Sequence, residues 1–330
     1  MRKYYKIFTH NDLDGYSINV LCQFYNIRAD IKNINNKNVD TELMNFLEYP
    51  HPQYDEILLC DMYMSNEVAE FIDQNIDNFR LIDHHKTGEY LNKYSWATVN
   101  STLNGRPTCA TELFYKYILR NEHLLSSRLM DEYTESVRLF DAGEYMRGKY
   151  NPKYIPTELS IMFYLYFRSY HKHIFENIKN GYILSYNDKE VTRNFINKMT
   201  IYSRNKQKDI KIINFEGYKT GVFFVEEPIY ISKVLIDAKQ QNPDIDIFMF
   251  VNVLNSISLR TFKDINLSII AEKYGGGGHE MAAGLPYKSE LILNLLKLIR
   301  FYFIFNKICK NFFMCWTKAK FSIMTIFKSH

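Results

Sequence analysis

Two short stretches gather acids and imidazoles at a spacing that packing alone does not call for. In "HNDLDG", residues 10 to 15, His10, Asp12 and Asp14 alternate. In an extended segment alternate side chains point the same way, so these three can converge on one point. Gly15 then permits a sharp turn into a helix. In "LIDHHKTG", residues 81 to 88, an apolar pair runs into Asp83, His84, His85 and Lys86. Carboxylates and imidazoles crowded in this way desolvate and repel one another unless a cation neutralises them. Adding Asp61, from "EILLCD", and Asp141, from "LFDAGEY", gives a set of four carboxylates (Asp12, Asp14, Asp61, Asp141) and two imidazoles (His10, His84). Hard oxygen donors with some imidazole suit manganese or magnesium, not a thiolate-seeking metal. Four negative charges also balance two divalent ions. Such a pair, roughly 3.5–4 Å apart, can ionise a bridging water and clamp phosphoryl oxygens during in-line attack.

The elements that must position these residues alternate. "YYKIFT", "EILLCD" and "FRLID" read as strands, while "YSINVLCQFY" and "EVAEFIDQNI" read as helices. Strand and helix in alternation predict a parallel α/β sheet, whose ligands sit at the carboxyl ends of the strands. Each of these strands runs directly into an acid or a histidine. Helices are expected over "ATELFYKYIL", "LMDEYTESVRLFD" and much of 156–205. A second strand-rich region follows ("DIKIINF", "GVFFVE", "IDIFMFVNV", "SISLRTF"), closed by the helix "INLSIIAEKY" and by "GGGGHEMAAG". "HKH", His171 to His173, reads as a solvated helix surface, since alternate positions do not share a helix face. His51, in "YPHPQY", sits in a loop without evident partners, and Cys60 reads as a buried small hydrophobe.

Composition narrows the class. The net charge is +4, from 41 Lys and Arg against 37 Asp and Glu, too small for a broad nucleic-acid cradle. The five cysteines are scattered without a CxxC pair, which argues against a disulfide framework or zinc ribbon and fits a reducing cytoplasm. The first ten residues lack the apolar core of a signal peptide, and nothing reads as a transmembrane helix. After Glu290 no acid occurs, and lysines interrupt aromatic runs. A poorly ordered basic tail over 301–330 is expected, with a helix at a membrane surface as the competing reading.

In order along residues 4 to about 285, "THNDLDG", "ILLCDMYMS", "LIDHHKTG", "TCATELFYKYI", "ESVRLFDAGEY" and "GGGGHEMAAG" resemble the motifs of the DHH phosphoesterases, in their nanoRNase (oligoribonuclease) branch. The resemblance implies a parallel-sheet DHH catalytic domain over 1–195, with a helical connector at about 151–195. It implies a smaller α/β DHH-associated substrate-binding domain over 196–300, with a cleft between the two. His10 and Asp12 would bind one metal, Asp14, His84 and Asp141 a second, and Asp61 both; manganese is the metal implied. His85 would contact the phosphate, with Asp83 behind a histidine to fix its tautomer. In the second domain Gly275, Gly276, Gly277 and Gly278 can wrap backbone N–H groups around an anion. His279 would then donate to a terminal phosphate, and Arg260 would supply a planar fork.

The activity so implied is a hydrolase: a two-metal phosphodiesterase degrading short oligoribonucleotides (nanoRNA, dinucleotides) to mononucleotides through a metal-bridging hydroxide. The expected partner is a short RNA or dinucleotide substrate, without integral membrane association; a homodimer is the candidate assembly. Three enzymatic alternatives stay open: a RecJ-like single-strand DNA exonuclease, which would usually add an oligonucleotide-binding domain with stacking aromatics, an inorganic pyrophosphatase, and a sugar-phosphate or nucleotide phosphatase. A non-catalytic nucleotide-binding module is the alternative from another class.

Overall fold

The computed structural model describes residues 3–147, 150–252 and 256–286, so the expected tail lies outside the described residues. Two compact units divide the chain, 1–199 and 200–330. The first opens with β1 (Tyr4–His10), α1 (Leu13–Phe24), β2 (Arg28–Ile34), α2 (Val39–Leu47), β3 (Glu56–Cys60), α3 (Asn66–Asn75), β4 (Phe79–Asp83) and β5 (Ala97–Val99). A short hairpin, β6 (Thr102–Leu103) and β7 (Arg106–Pro107), leads to α4 (Ala110–Asn121), α5 (Arg128–Asp141), α6 (Pro156–Tyr166), α7 (Tyr170–Lys179) and α8 (Tyr186–Lys208).

Five parallel strands form one sheet in the order β2-β1-β3-β4-β5. The order reverses between β1 and β3, and a crevice opens at the carboxyl ends of strands where order reverses. β3 is buried along its whole length, as an inner parallel strand covered on both faces must be. Alternation along the strands feeds two cores. Tyr5, Ile7, Leu58, Cys60 and Ile82 pack with α1, α4 and α5, while Phe8, Leu59 and Leu81 pack with α2 and α3. α6 and α7, expected as part of a helical connector, bury Leu159, Met162, Tyr170 and Ile174 in the first of these cores.

The second unit holds β8 (Lys211–Phe215), β9 (Tyr218–Phe224), α9 (Ile231–Gln241), β10 (Ile247–Asn252), β11 (Ser256–Arg260), α10 (Leu267–Glu272), β12 (Gly277–His279) and β13 (Ala282–Leu285). Its six-stranded sheet runs β12-β13-β11-β10-β9-β8, parallel only between β9 and β10. Val222, Ile247, Met249, Ile257 and Leu259 form its core with Leu267 and Ile270 of α10. Among the described residues no helix is long and apolar enough to cross a membrane.

Three local expectations change. β2 and α2 were not read from the sequence: β2 exposes much of its length and "RADIKNI" carries four polar residues. His51 has partners, its Nε2 lying 2.6 Å from the Phe46 carbonyl and its ring stacked on Phe46 at 3.8 Å. "HKH" is not a solvated surface. His173 lies 3.0 Å from Asp188 and stacks on Tyr166, and His171 Nδ1 is buried.

Gly15 is also not a left-handed turn residue; it sits in the first turn of α1. Its hydrogen is what matters, because a Cβ there would stand 2.1 Å from the His10 carbonyl oxygen. Backbone atoms cannot step aside as a flexible side chain can. Gly15→Ala is therefore expected to cost at least ~2 kcal/mol, read as a lowered urea midpoint at unchanged m-value.

Candidate metal centre

Chain segments far apart in sequence bring the donors to the carboxyl edge of the parallel sheet. His10 ends β1. Asp12 is the N-cap of α1, its Oδ1 accepting from the Gly15 N–H at 3.0 Å. Asp14 lies in the first turn of the helix, so the three alternating residues do not share one extended segment as expected. They converge because the strand stops and the helix starts between them.

Asp61 follows β3 with φ +63, a left-handed backbone in a residue that is not glycine. Such a conformation costs of order 1–3 kcal/mol and persists only where the surroundings impose it. His84 and His85 follow β4, and Asp141 is the last residue of α5.

His84 Nε2 stands 3.3 Å from Asp61 Oδ1, 3.5 Å from Asp141 Oδ2 and 3.8 Å from Asp14 Oδ2. His10 Nδ1 is 2.7 Å from Asp12 Oδ2 and 3.9 Å from Asp61 Oδ2. Ligand atoms of His10, Asp12 and Asp61 lie within 4.8 Å of one another, as do those of Asp14, His84 and Asp141. The geometry thus brings together all six candidate ligands in two adjoining groups, with Asp61 of the first 3.3 Å from His84 of the second. Asp61, Asp83, His84 and His85 form a third such group.

Asp61 Oδ2 and His84 Nε2 are both buried and have no hydrogen-bond partner. An acceptor and an imidazole nitrogen left without partners among carboxylates are what a bound divalent cation would satisfy. The donor set, all oxygen and imidazole, fits such an ion.

The electrostatics agree. Burial first, then the charges of Asp12, Asp14, Asp141 and Asp83, push the Asp61 carboxyl well above the usual carboxylate range. Burial likewise pushes Asp141 up to about 7; His84 pulls against it, and the charges of Asp14 and Asp12 add to the rise. Asp12 moves the other way. Burial opposes its ionisation, yet the hydrogen bond and charge of His10 and the Gly15 N–H bring it down to about 2. His85 is driven up to about 9, because its 2.7 Å bond to Asp83 and nearby carboxylates overcome the burial that would lower it. Asp83, fully buried, therefore orients His85 through Nδ1.

Three supporting features escaped sequence reasoning. Asp14 accepts from the N–H groups of Ala110 at 2.7 Å and Thr111 at 2.9 Å, and its carbonyl accepts from Thr111 Oγ1 at 2.7 Å. The N-terminus of α4 thus holds this carboxylate, a favourable end for negative charge. Gly88 is the second: a Cβ there would stand 2.9 Å from Tyr63 Cβ and 3.0 Å from Asp83 Oδ2. Arg138 is the third. Fully buried, it binds Glu135, Glu144 and the Pro107 carbonyl, tying the end of α5 that carries Asp141 to the segment leading into α4.

The second-unit candidates stand differently. Gly275, at φ +71, ends α10: its N–H donates to Glu272 and that of Gly276 to Ala271, the paired bonds of a Schellman cap. Those two amides are consumed, so the expected anion nest does not include them. Gly277 and Gly278 lie in β12 against Gly284 and Ala283. Arg260 pairs with Ala282, which pairs with His279, so the two candidates occupy one row across three strands. Arg260 Nη1 donates to the Leu259 carbonyl at 2.8 Å.

Proton linkage gives a test. The ordinary aspartate value is 3.8 and Asp141 in the fold stands at about 7, so between these values the folded state holds more protons than the unfolded one. The stability that Asp141 contributes below about pH 4 is then lost as pH rises through about 7, and Asp61, also raised, acts in the same direction. A cation needs the deprotonated carboxylates, so its affinity rises across the same window. For protein stripped with EDTA, Tm is expected to fall from about pH 5 to about pH 8, with manganese restoring it more strongly at the upper end. A flat Tm that manganese does not move would contradict the crowding. Separately, Arg138→Met is expected to destabilise by ~3 kcal/mol, since it leaves Glu144 without its cation and the Pro107 carbonyl without its donor, and to weaken manganese binding in calorimetry.

No protein-family model matches the chain. Among curated proteins it is similar to oligoribonuclease NrnB of Bacillus subtilis (strain 168), 26% identical over 298 residues that cover 87% of this chain and 74% of that one. It is also similar to a 3',5'-cyclic-nucleotide phosphodiesterase of Helicobacter pylori (strain ATCC 700392 / 26695), 23% identical over 322 residues, 84% of this chain and 90% of that one. Among solved structures, a pGpG-specific phosphodiesterase, PggH, from Vibrio cholerae matches with a TM-score of 0.54 at 14% identity, over 89% of this chain and 97% of that one, a likeness of fold. In this chain the Asp83–His84–His85 triplet stands at the end of β4, and the curated and structural matches along most of the chain fit a DHH-family phosphoesterase near NrnB.

Proposed function

We propose that the chain is a two-metal phosphodiesterase that degrades short oligoribonucleotides, dinucleotides included, to mononucleotides. The observation that carries this reading is the pair of adjoining donor groups joined by the approach of Asp61 to His84, with Asp61 Oδ2 and His84 Nε2 left without hydrogen-bond partners. On it, His10 and Asp12 would hold one ion, Asp14, His84 and Asp141 would hold the other, and Asp61 would contribute to both. Two divalent ions, manganese first among the candidates, would supply Lewis acidity, acidifying a water and drawing charge from phosphoryl oxygens.

The remaining roles fall to side chains. Asp12 fixes His10, the α4 N-terminus fixes Asp14, and Asp83 fixes His85. Pushed towards a cationic state, His85 is the proposed donor to the phosphoryl group as negative charge grows on it. In the second unit, Arg260 and His279, with the β12 glycines Gly277 and Gly278, are the proposed contacts to the terminal phosphate.

The similarity to NrnB supports a short-RNA substrate. The second curated relative favours another reading of the same centre, cleavage of a 3',5'-cyclic nucleotide. Both are decided together by offering, with manganese, end-labelled RNA and DNA from about two to about twenty-four nucleotides and cyclic AMP. Expected are mononucleotides formed fastest from the shortest RNA, with Asp61→Ala lowering the rate by roughly three orders of magnitude. Activity surviving in Asp61→Ala would sink the two-metal reading. Equal rates at every length would sink the short-substrate reading, and preferred turnover of cyclic AMP would replace it with the second.

A further inference from the structure

Away from the donor cluster, a cavity of about 610 Å³ is walled by α1, β2 and the start of α7. Tyr16, Asn19, Gln23, Arg168, His171 and Phe175 line it, and no carboxylate does among the described residues. Three polar atoms in this wall, Asn19 Oδ1, Gln23 Oε1 and His171 Nδ1, are buried and have no hydrogen-bond partner. Asn19 is only 6% exposed, and its Nδ2 is already committed to Asn33 at 2.9 Å, which fixes the carbonyl as the unmet end. An unmet buried polar atom costs about 1–3 kcal/mol. Finding three in one wall is unusual where native interiors satisfy the large majority.

The chemistry of the wall selects a ligand. Two unmet carbonyl acceptors call for N–H donors. Tyr16, whose ring lies 5.9 Å from that of His171, and Phe175 offer a flat apolar surface for a planar ring. Burial and the neighbouring Lys172 hold the His171 imidazole below its ordinary value, so it is neutral and positive charge at the cavity rests on Arg168. A guanidinium without a lining carboxylate suits a phosphate. We propose that this cavity is a second ligand site, for a nucleoside monophosphate whose base donates to Asn19 and Gln23 and whose phosphate meets Arg168. In this conformation the unmet atoms are covered. Turning the two amides about their soft terminal torsions would present them to the base. The proposal stands independently of what the metal-ligand cluster hydrolyses.

The test is equilibrium binding of AMP and GMP to the full chain in EDTA, where the donor cluster has no cation with which to hold a phosphate. Saturable binding of one equivalent with Kd below about 1 mM is expected for at least one of them. Gln23→Leu and Arg168→Ala should each weaken it about tenfold or more, with unchanged near-UV circular dichroism and no fall in Tm. Asp61→Asn should leave it unchanged. Absence of binding by both nucleotides would overturn the proposal. So would undiminished binding in both cavity variants, or loss in Asp61→Asn with retention in Arg168→Ala, which would put the nucleotide in the metal-ligand cluster instead. If Arg168→Ala fails to fold, Arg168→Gln with Gln23→Leu carries the same comparison.

Discussion

Four carboxylates crowd together, Asp14 and Asp61 buried and Asp12 and Asp141 half-buried beside them, and the first unit is arranged around the cost of that crowding. Asp61, 2% exposed, faces charge from Asp12, Asp14 and Asp141. Isolated ionised carboxylates in such surroundings cost several kcal/mol each unless paired. The protein offsets only part of this. Two backbone N–H groups hold Asp14, one holds Asp12, and two imidazoles interleave. Asp61 and Asp141 receive no backbone N–H, and Asp61 lies against an imidazole of each donor group, where a shared cation would offset the crowding.

The fold delivers this arrangement through chain reversals. A strand order that turns back between β1 and β3 leaves the ends of β1, β3 and β4 side by side, each followed at once by a donor. The left-handed backbone at Asp61 turns its carboxylate out of the β3 direction, so the strain lies at the centre of the cluster. Gly15 lets the helix bearing Asp14 start against the His10 backbone, and Gly88 lets the loop after His85 close on Asp83. Both glycines serve by having no side chain, not by adopting unusual dihedrals.

Much of this is legible in the amino-acid sequence. Apolar runs ending in Asp61, Asp83 and the histidines gave both the parallel sheet and the edge where its donors meet, because buried strands seldom end in such chemistry for packing reasons. The convergence of His10, Asp12 and Asp14 was legible but for the wrong reason: period-two alternation was assumed where a strand stop and a helix cap operate. The clamp on Asp14 was not legible, since Ala110 and Thr111 act through backbone N–H groups 96 and 97 positions away. In "GGGGH" the cap made by Gly275 and Gly276 was not legible, because a glycine run fits an anion nest and a helix cap equally well, and only the hydrogen-bond partners distinguish them.

α1 links the two regions where polar atoms go unmet. Its first turn carries Asp14 and, through Ser17, meets Tyr133 at 2.7 Å beneath the cluster. Two residues on, Asn19 donates to Asn33, and Asn33 donates to the His10 carbonyl, both at 2.9 Å. A displacement of the Asn19 amide therefore reaches the backbone of a candidate ligand through two hydrogen bonds, without any helix having to move. Such a chain is the minimum physical requirement for one site to bias another. It becomes coupling only where a ligand binds its two arrangements unequally. The second cavity thus has a direct path to the cluster, and the sign of any effect would depend on whether an engaged Asn19 tightens or releases Asn33.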